Sequence, residues 1–123
     1  TGVDLVAPAV GNIHGIVKSG QPKLSISRIQ ELARAVYPEL GRGGVPLVLH
    51  GGSGSTDEEF RAAIQAGVVI IHINTDLRVL YRRGLEESFK NNPDESTPYK
   101  FLTPAVKTMK DYVVQKIRLF AGA

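Results

Sequence analysis

Apolar positions along the chain follow two rhythms. Three short segments, 3–10 (VDLVAPAV), 45–49 (VPLVL) and 67–73 (GVVIIHI), are almost continuously apolar and are closed by glycine or small polar residues. Continuous runs of this length are what strands covered on both faces look like. The stretches between them carry helical spacing instead. From Ser27 to Val36 the residues Ile29, Leu32, Ala33 and Val36 fall on one face. Thr56-Asp57-Glu58-Glu59 predicts a capping box, in which the Thr56 hydroxyl accepts from the Glu59 N–H and the Glu59 carboxylate reaches back to the Thr56 N–H, opening a helix that buries Phe60, Ala63 and Ile64. A third helix is predicted from Asp76, with Leu77, Leu80, Tyr81 and Leu85 on one side. A fourth is predicted to begin with Thr103 as cap and Pro104 at the first helical position, carrying the stripe Val106, Met109, Val113, Ile117 and Phe120. The polar, proline-punctuated segment 91–99 (NNPDESTPY) reads as a mobile loop.

Strand and helix thus alternate three times, which implies an α/β fold of parallel strands with right-handed crossovers. The polar residues of interest all follow strands: His14 after the first, His50 after the second, Asn74-Thr75-Asp76 after the third. In α/β folds that edge is where sites are built. Three βα units cannot close a barrel, which takes eight. Either the sheet is open or further strands lie outside these residues.

Composition narrows the functional classes. With 123 residues the chain suffices for one small domain, and 42% hydrophobic and 22% charged residues are typical of globular proteins. No run of roughly 18 apolar residues suggests a transmembrane helix, and no basic segment followed by an apolar one suggests a signal peptide, so a cytoplasmic location and no membrane partner are expected. The absence of cysteine removes disulfides and thiolate metal ligands. Although the net charge is +3 and the pI about 9.3, Lys and Arg are dispersed among acidic residues, which disfavours nucleic acid and suits a small anionic substrate. The sequence enters an apolar run directly after Thr1, as a chain cut just before a strand would.

Three motifs carry candidate chemistry. In GNIHG (Gly11 to Gly15) a histidine flanked by glycines stands at a strand end, poorly placed for a core and well placed to reach a metal, although a lone histidine is more often an ordinary surface residue. HGGSGS (His50 to Ser55) follows VPLVL directly; its glycines can turn successive N–H groups toward one anion, Ser53 can add a hydroxyl, and the next helix N-terminus adds a positive dipole. A tight turn that merely needs glycine would look similar. In HINTDLR (His72 to Arg78), at least one of Asn74, Thr75 and Asp76 is expected to cap the third helix while the others reach a hydroxylated or phosphorylated substrate; Arg78 either meets an anion or is a solvated charge. Neutral imidazoles on neighbouring parallel strands can converge on one Zn²⁺, and a catalytic zinc takes three protein ligands and an open position. His14 and His50 supply two. His72 is either a third or a core histidine.

These residues resemble the class II fructose-bisphosphate aldolases and their tagatose-bisphosphate relatives. The resemblance runs through TGVDLVAPAVGNIHG, PLVLHGGSGS and HINTDLR in that order, and covers the C-terminal part of the family, about three βα units, strands 6–8 of a (β/α)8 TIM barrel. It implies that residues 1–123 form the C-terminal part of a single barrel domain whose N-terminal part is absent from this chain. It implies further that His14 and His50 are two of three zinc-binding histidines. Gly15, Gly51, Gly52 and Ser53 match loops that bind the phosphate of dihydroxyacetone phosphate. Thr75, with His72, Asn74 and Arg78 around it, matches the segment that contacts that phosphate and the substrate backbone, and Lys18 matches a lysine common after the first motif. The implied cofactors are Zn²⁺ and a monovalent cation, Na⁺ or K⁺; the implied assembly is a homo-oligomer, dimer or tetramer.

The implied reaction is reversible cleavage of fructose 1,6-bisphosphate to dihydroxyacetone phosphate and glyceraldehyde 3-phosphate, with zinc polarising the ketone and stabilising the enediolate. Tagatose bisphosphate is the alternative substrate, and a non-catalytic phosphate-binding half-barrel the alternative of another class. No catalytic base is among these residues: the family's aspartate would lie upstream of Thr1, so the chain alone is expected to be inactive. Many members carry asparagine at the position of His72, a departure that points to a divergent subgroup.

Overall fold

The computed structural model describes residues 2–15, 23–36 and 44–122, which fall into two compact units, Thr1–Ile73 and Asn74–Ala123. Lys18 and its expected role lie outside the described residues. Among those residues no helix is long and apolar enough to cross a membrane.

The first unit contains α1 (Ile26–Val36), β1 (Leu47–Leu49), α2 (Asp57–Gln65) and β2 (Val68–Ile71). β1 and β2 pair in parallel, with Leu49 opposite Ile71, and Val6 forms an isolated parallel bridge to Leu47 on the other side of β1. Consecutive segments are therefore spatial neighbours running in one direction, as expected of repeated βα units. All three residues of β1 are buried, and Leu47, Leu49, Ile29 and Phe60 are the largest side chains closed off from solvent. Continuous apolarity of VPLVL thus reflects cover on both faces.

The expected first strand at 3–10 is corrected to a single rung. The Val6 N–H donates to Pro46 O (3.1 Å) and the Val6 carbonyl accepts from Val48 N (2.9 Å). Along a parallel strand every second residue bonds the same neighbour, so Pro8 is next in line, and it has no N–H to donate. Val3 and Leu5 are exposed. The two remaining strands are shorter than 45–49 and 67–73 but lie within them.

The capping box forms as the sequence predicts. Thr56 accepts from the Glu59 N–H (3.2 Å) and the Glu59 carboxylate accepts from the Thr56 N–H (2.9 Å). The other Glu59 oxygen accepts from the Leu24 N–H (3.2 Å), so the same side chain anchors the entry to α1. Of the predicted α1 face, Ile29 is buried and Leu32, Ala33 and Val36 are half-buried.

The second unit is a helical hairpin of α3 (Thr75–Asn91) and α4 (Pro98–Phe120). α4 begins earlier than expected. Thr97-Pro98 and Thr103-Pro104 are both Thr-Pro pairs with the signature of a helix start, and the helix uses the first, leaving Pro104 in its interior. There the ring deprives the Lys100 carbonyl of its donor, while the Thr103 and Thr108 hydroxyls donate to the Tyr99 and Pro104 carbonyls. The expected loop contracts to the residues between Asn91 and Pro98. Its Glu95 accepts from the Thr97 N–H (2.9 Å) and pairs with Lys100 (3.1 Å).

Packing of the hairpin also differs from the predicted stripe. Gly84 and Ser88 are the buried residues of α3, Ala105 and Leu119 those of α4, whereas Val106, Val113 and Ile117 are exposed. A Cβ built on Gly84 would stand 2.6 Å from the Ala105 Cα and 3.1 Å from its backbone N. Absence of a side chain on one helix and a methyl on the other let the backbones approach, and that contact turns Val106 away. Leu77, Leu80, Tyr81 and Leu85 are half-buried.

Candidate functional site

Three histidines of the first unit gather beyond the sheet's C-terminal edge. His50 follows β1 and His72 follows β2, and His14 lies in the loop that leaves the Val6 rung. All three are exposed. The His72 N–H donates to Leu49 O (2.9 Å), extending the pairing one residue past β2, and the His72 carbonyl accepts from the Gly52 N–H (3.3 Å). His72 thereby joins the end of β2 to the glycine loop after β1.

His50 Nδ1 and His14 Nε2 face each other at 3.2 Å, with ring centroids 4.7 Å apart. Two nitrogens bound to one tetrahedral Zn²⁺ at about 2.0–2.1 Å would be about 3.3 Å apart. That spacing suits two ligands of one ion, and it is equally the length of an imidazole–imidazole hydrogen bond. Gly51 permits this spacing: its φ is 75°, and a Cβ there would lie 2.8 Å from Ile13 O and 3.3 Å from His14 Cε1. Any side chain at 51 would push the two loops apart. The His72 ring packs edge-on against His50, with centroids 5.1 Å apart. Among the described residues no group of three His, Asp or Glu side chains is arranged to hold a metal.

The glycine loop rests on α2. Gly52 is buried, its Cα side facing Phe60 Cε1 closely enough that a Cβ would stand 3.1 Å away, and the Ser55 N–H closes a turn onto Gly52 O (3.1 Å). Ser53 is buried too. Two features qualify the expected phosphate nest. The Gly52 N–H is already engaged by His72 O. In addition, the first turn of α2 carries Asp57, Glu58 and Glu59, whose negative charge offsets the helix dipole.

Asn74, Thr75 and Arg78 belong to the second unit. Asn74 occupies the N-cap position of α3 without a side-chain capping bond, and its carbonyl accepts from the Arg78 N–H (3.1 Å). Thr75 is half-buried and Arg78 exposed. Asp76 accepts from the Tyr112 hydroxyl (2.7 Å), tying the first turn of α3 to α4.

One participant carries more than its sequence context suggested. The Asn12 amide accepts from the Val10 N–H (2.8 Å) through Oδ1 and donates through Nδ2 to the His50 carbonyl. Its position inside GNIHG was the available signal, but sequence alone does not disclose a partner 38 residues away.

Comparison with known proteins identifies the family. The family model described as fructose-bisphosphate aldolase class-II matches residues 1–123. A fructose-bisphosphate aldolase of Staphylococcus epidermidis is 37% identical over 120 residues, covering 98% of this chain and 39% of that protein. The crystal structure of the YdjI aldolase from Escherichia coli K12 superposes with a TM-score of 0.71 at 31% identity, over 98% of this chain and 40% of that one. Fructose-bisphosphate aldolase from Campylobacter jejuni shares the fold, with a TM-score of 0.73 at 21% identity over 95% of this chain and 39% of that one. The chain spans about two fifths of the length of these relatives. On the match across its whole length, the chain belongs to the class II fructose-bisphosphate aldolase family.

Proposed function

We propose that this chain supplies two zinc ligands and the phosphate-binding loops of a ketose-bisphosphate aldolase, as the three C-terminal βα units of a (β/α)8 barrel. The observation that carries the proposal is the 3.2 Å approach of His50 Nδ1 to His14 Nε2 at the C-terminal edge of parallel strands. His14 and His50 would hold the metal, which when bound supplies Lewis-acid polarisation of the substrate's ketone.

The remaining roles fall to the chain's own residues. Gly15, Gly51, Gly52 and Ser53 hold the phosphate of dihydroxyacetone phosphate, Ser53 by its hydroxyl and the glycines by close backbone approach. Asn74, Thr75 and Arg78 are assigned to substrate contact by the family resemblance alone. Binding a phosphate that does not react fixes the reacting carbons and directs binding energy to the transition state. Fructose 1,6-bisphosphate is the substrate this reading favours. The proton is moved by a base outside these residues, so these 123 residues alone should bind metal and phosphate without cleaving the sugar.

The test is Zn²⁺ titration of the chain and of His50→Ala and His14→Ala. Either substitution should weaken zinc uptake by the two-histidine site while leaving the helical circular dichroism intact. Equal uptake by all three proteins would remove both histidines from the metal site.

A further inference from the structure

We infer that Asn12 is a positioning residue that sets the spacing of the His14 and His50 nitrogens; the inference rests on the metal-site reading above. Among the described residues the segment carrying His14 is joined to the sheet by one rung, at Val6, and Pro8 ends the ladder there. Sheet pairing among the described residues does not reach His14, which lies eight residues farther along. Local bonds hold it instead. The Val10 carbonyl accepts from the Ser25 N–H (2.8 Å), and the Val10 N–H is received by Asn12 Oδ1 (2.8 Å). Asn12 Nδ2 then crosses to the His50 carbonyl.

A carboxamide has one acceptor end and one donor end, and only one orientation satisfies an N–H on one side and a C=O on the other. Asn12 is thus locked at both ends. One end fixes the turn two residues before His14, and the other grips the backbone of His50 itself. The two imidazoles are brought to 3.2 Å by loops that this amide joins directly. Neither aspartate nor leucine could replace it: the first lacks the donor and the second has neither group. Partners that orient metal-binding histidines contribute roughly 10–100-fold in metal affinity.

The experiment uses the chain with Asn12→Ala and Asn12→Ser, titrated with Co²⁺ and followed by visible absorption and by the unfolding midpoint with and without Co²⁺. Serine is too short to reach His50, so it severs the bridge while keeping a small polar side chain in the loop. Both variants are expected to bind Co²⁺ at least about tenfold more weakly than the parent, with altered visible bands and a smaller metal-induced rise in midpoint. If Asn12→Ala does not fold, Asn12→Ser decides alone. A lowered metal-free midpoint with unchanged Co²⁺ affinity and spectrum would reduce Asn12 to a loop-stabilising residue and overturn the inference. If the parent itself binds no Co²⁺, the metal-site reading fails and takes this role with it, an outcome distinct from variants that match a binding-competent parent.

Discussion

Gly84→Ala tests the packing of the helical hairpin by the sign of its effect. At an exposed helical position this substitution stabilises by about 1 kcal/mol, because alanine restricts the unfolded chain and favours helix. Here the added methyl would stand 2.6 Å from the Ala105 Cα and 3.1 Å from both its N and Cβ. Ordinary carbon contacts begin near 3.5 Å, so the helices must separate by about 1 Å. The obstacle is backbone, which cannot change rotamer, and this places the overpacking cost toward the upper end of about 1–3 kcal/mol. Net destabilisation of about 2 kcal/mol follows, lowering the midpoint by roughly 8 °C for a chain of this size. Thermal and urea unfolding followed by far-ultraviolet circular dichroism would measure it. Adding Ala105→Gly should restore little, since Cα and N remain in place. A Gly84→Ala protein more stable than the parent would show that α3 and α4 do not meet at this point.

Two other perturbations probe α4. The Glu95 carboxylate, hydrogen-bonded by the Thr97 side chain and N–H and then by Lys100, has its pKa lowered from 4.5 to about 2. A depressed folded-state pKa gives stability that is fully present above the unfolded value near 4.5 and is lost as pH falls toward 2. Glu95→Gln should therefore be less stable than the parent at pH 7 with a gap that closes between pH 4.5 and 2, and a gap independent of pH would refute the assignment. Pro104→Ala gives the Lys100 carbonyl a donor and removes a penalty of about 3 kcal/mol, of which roughly 1 is returned by the freer unfolded chain. A gain of about 2 kcal/mol is expected in urea unfolding, and an unchanged midpoint would mean that the helix does not run through residue 104.

What was legible in the sequence is what local rules decide. The Thr56–Glu59 box, the continuous apolarity of VPLVL and the placement of His50 directly after β1 depend on neighbouring residues, and each is found where the pattern put it. The misreadings involve competition between equal local signals or partners far along the chain. Two Thr-Pro pairs offered the same start for α4; the helix uses the earlier one, which brings Phe101 within its first turn against Phe89 of α3. The apolar stripe of α4 named Val106, but the close approach of Gly84 selected Ala105, one residue away and about 100° around the helix. Residues 3–10 have strand composition, yet a proline at the second position after Val6 stops the ladder. The Gly52 N–H faces the His72 carbonyl, a contact between distant segments that only tertiary structure reveals.

Strand β2 has a consequence for the behaviour of the chain at high concentration. Among the described residues it is paired along one side only, with β1. Its four residues, Val-Val-Ile-Ile, are uncharged and β-branched, and Val69 is 60% exposed. A half-paired edge of this composition is a template on which a strand from another molecule can be laid, and neither charge nor proline in the segment deters it; its one irregularity is the register shift at Val69, between Val68 opposite Leu47 and Ile70 opposite Val48. The apolar run that makes a good buried strand becomes a self-association hazard wherever its second neighbour is missing, and position 69 is where a lysine would guard it at least expense to the β1 pairing.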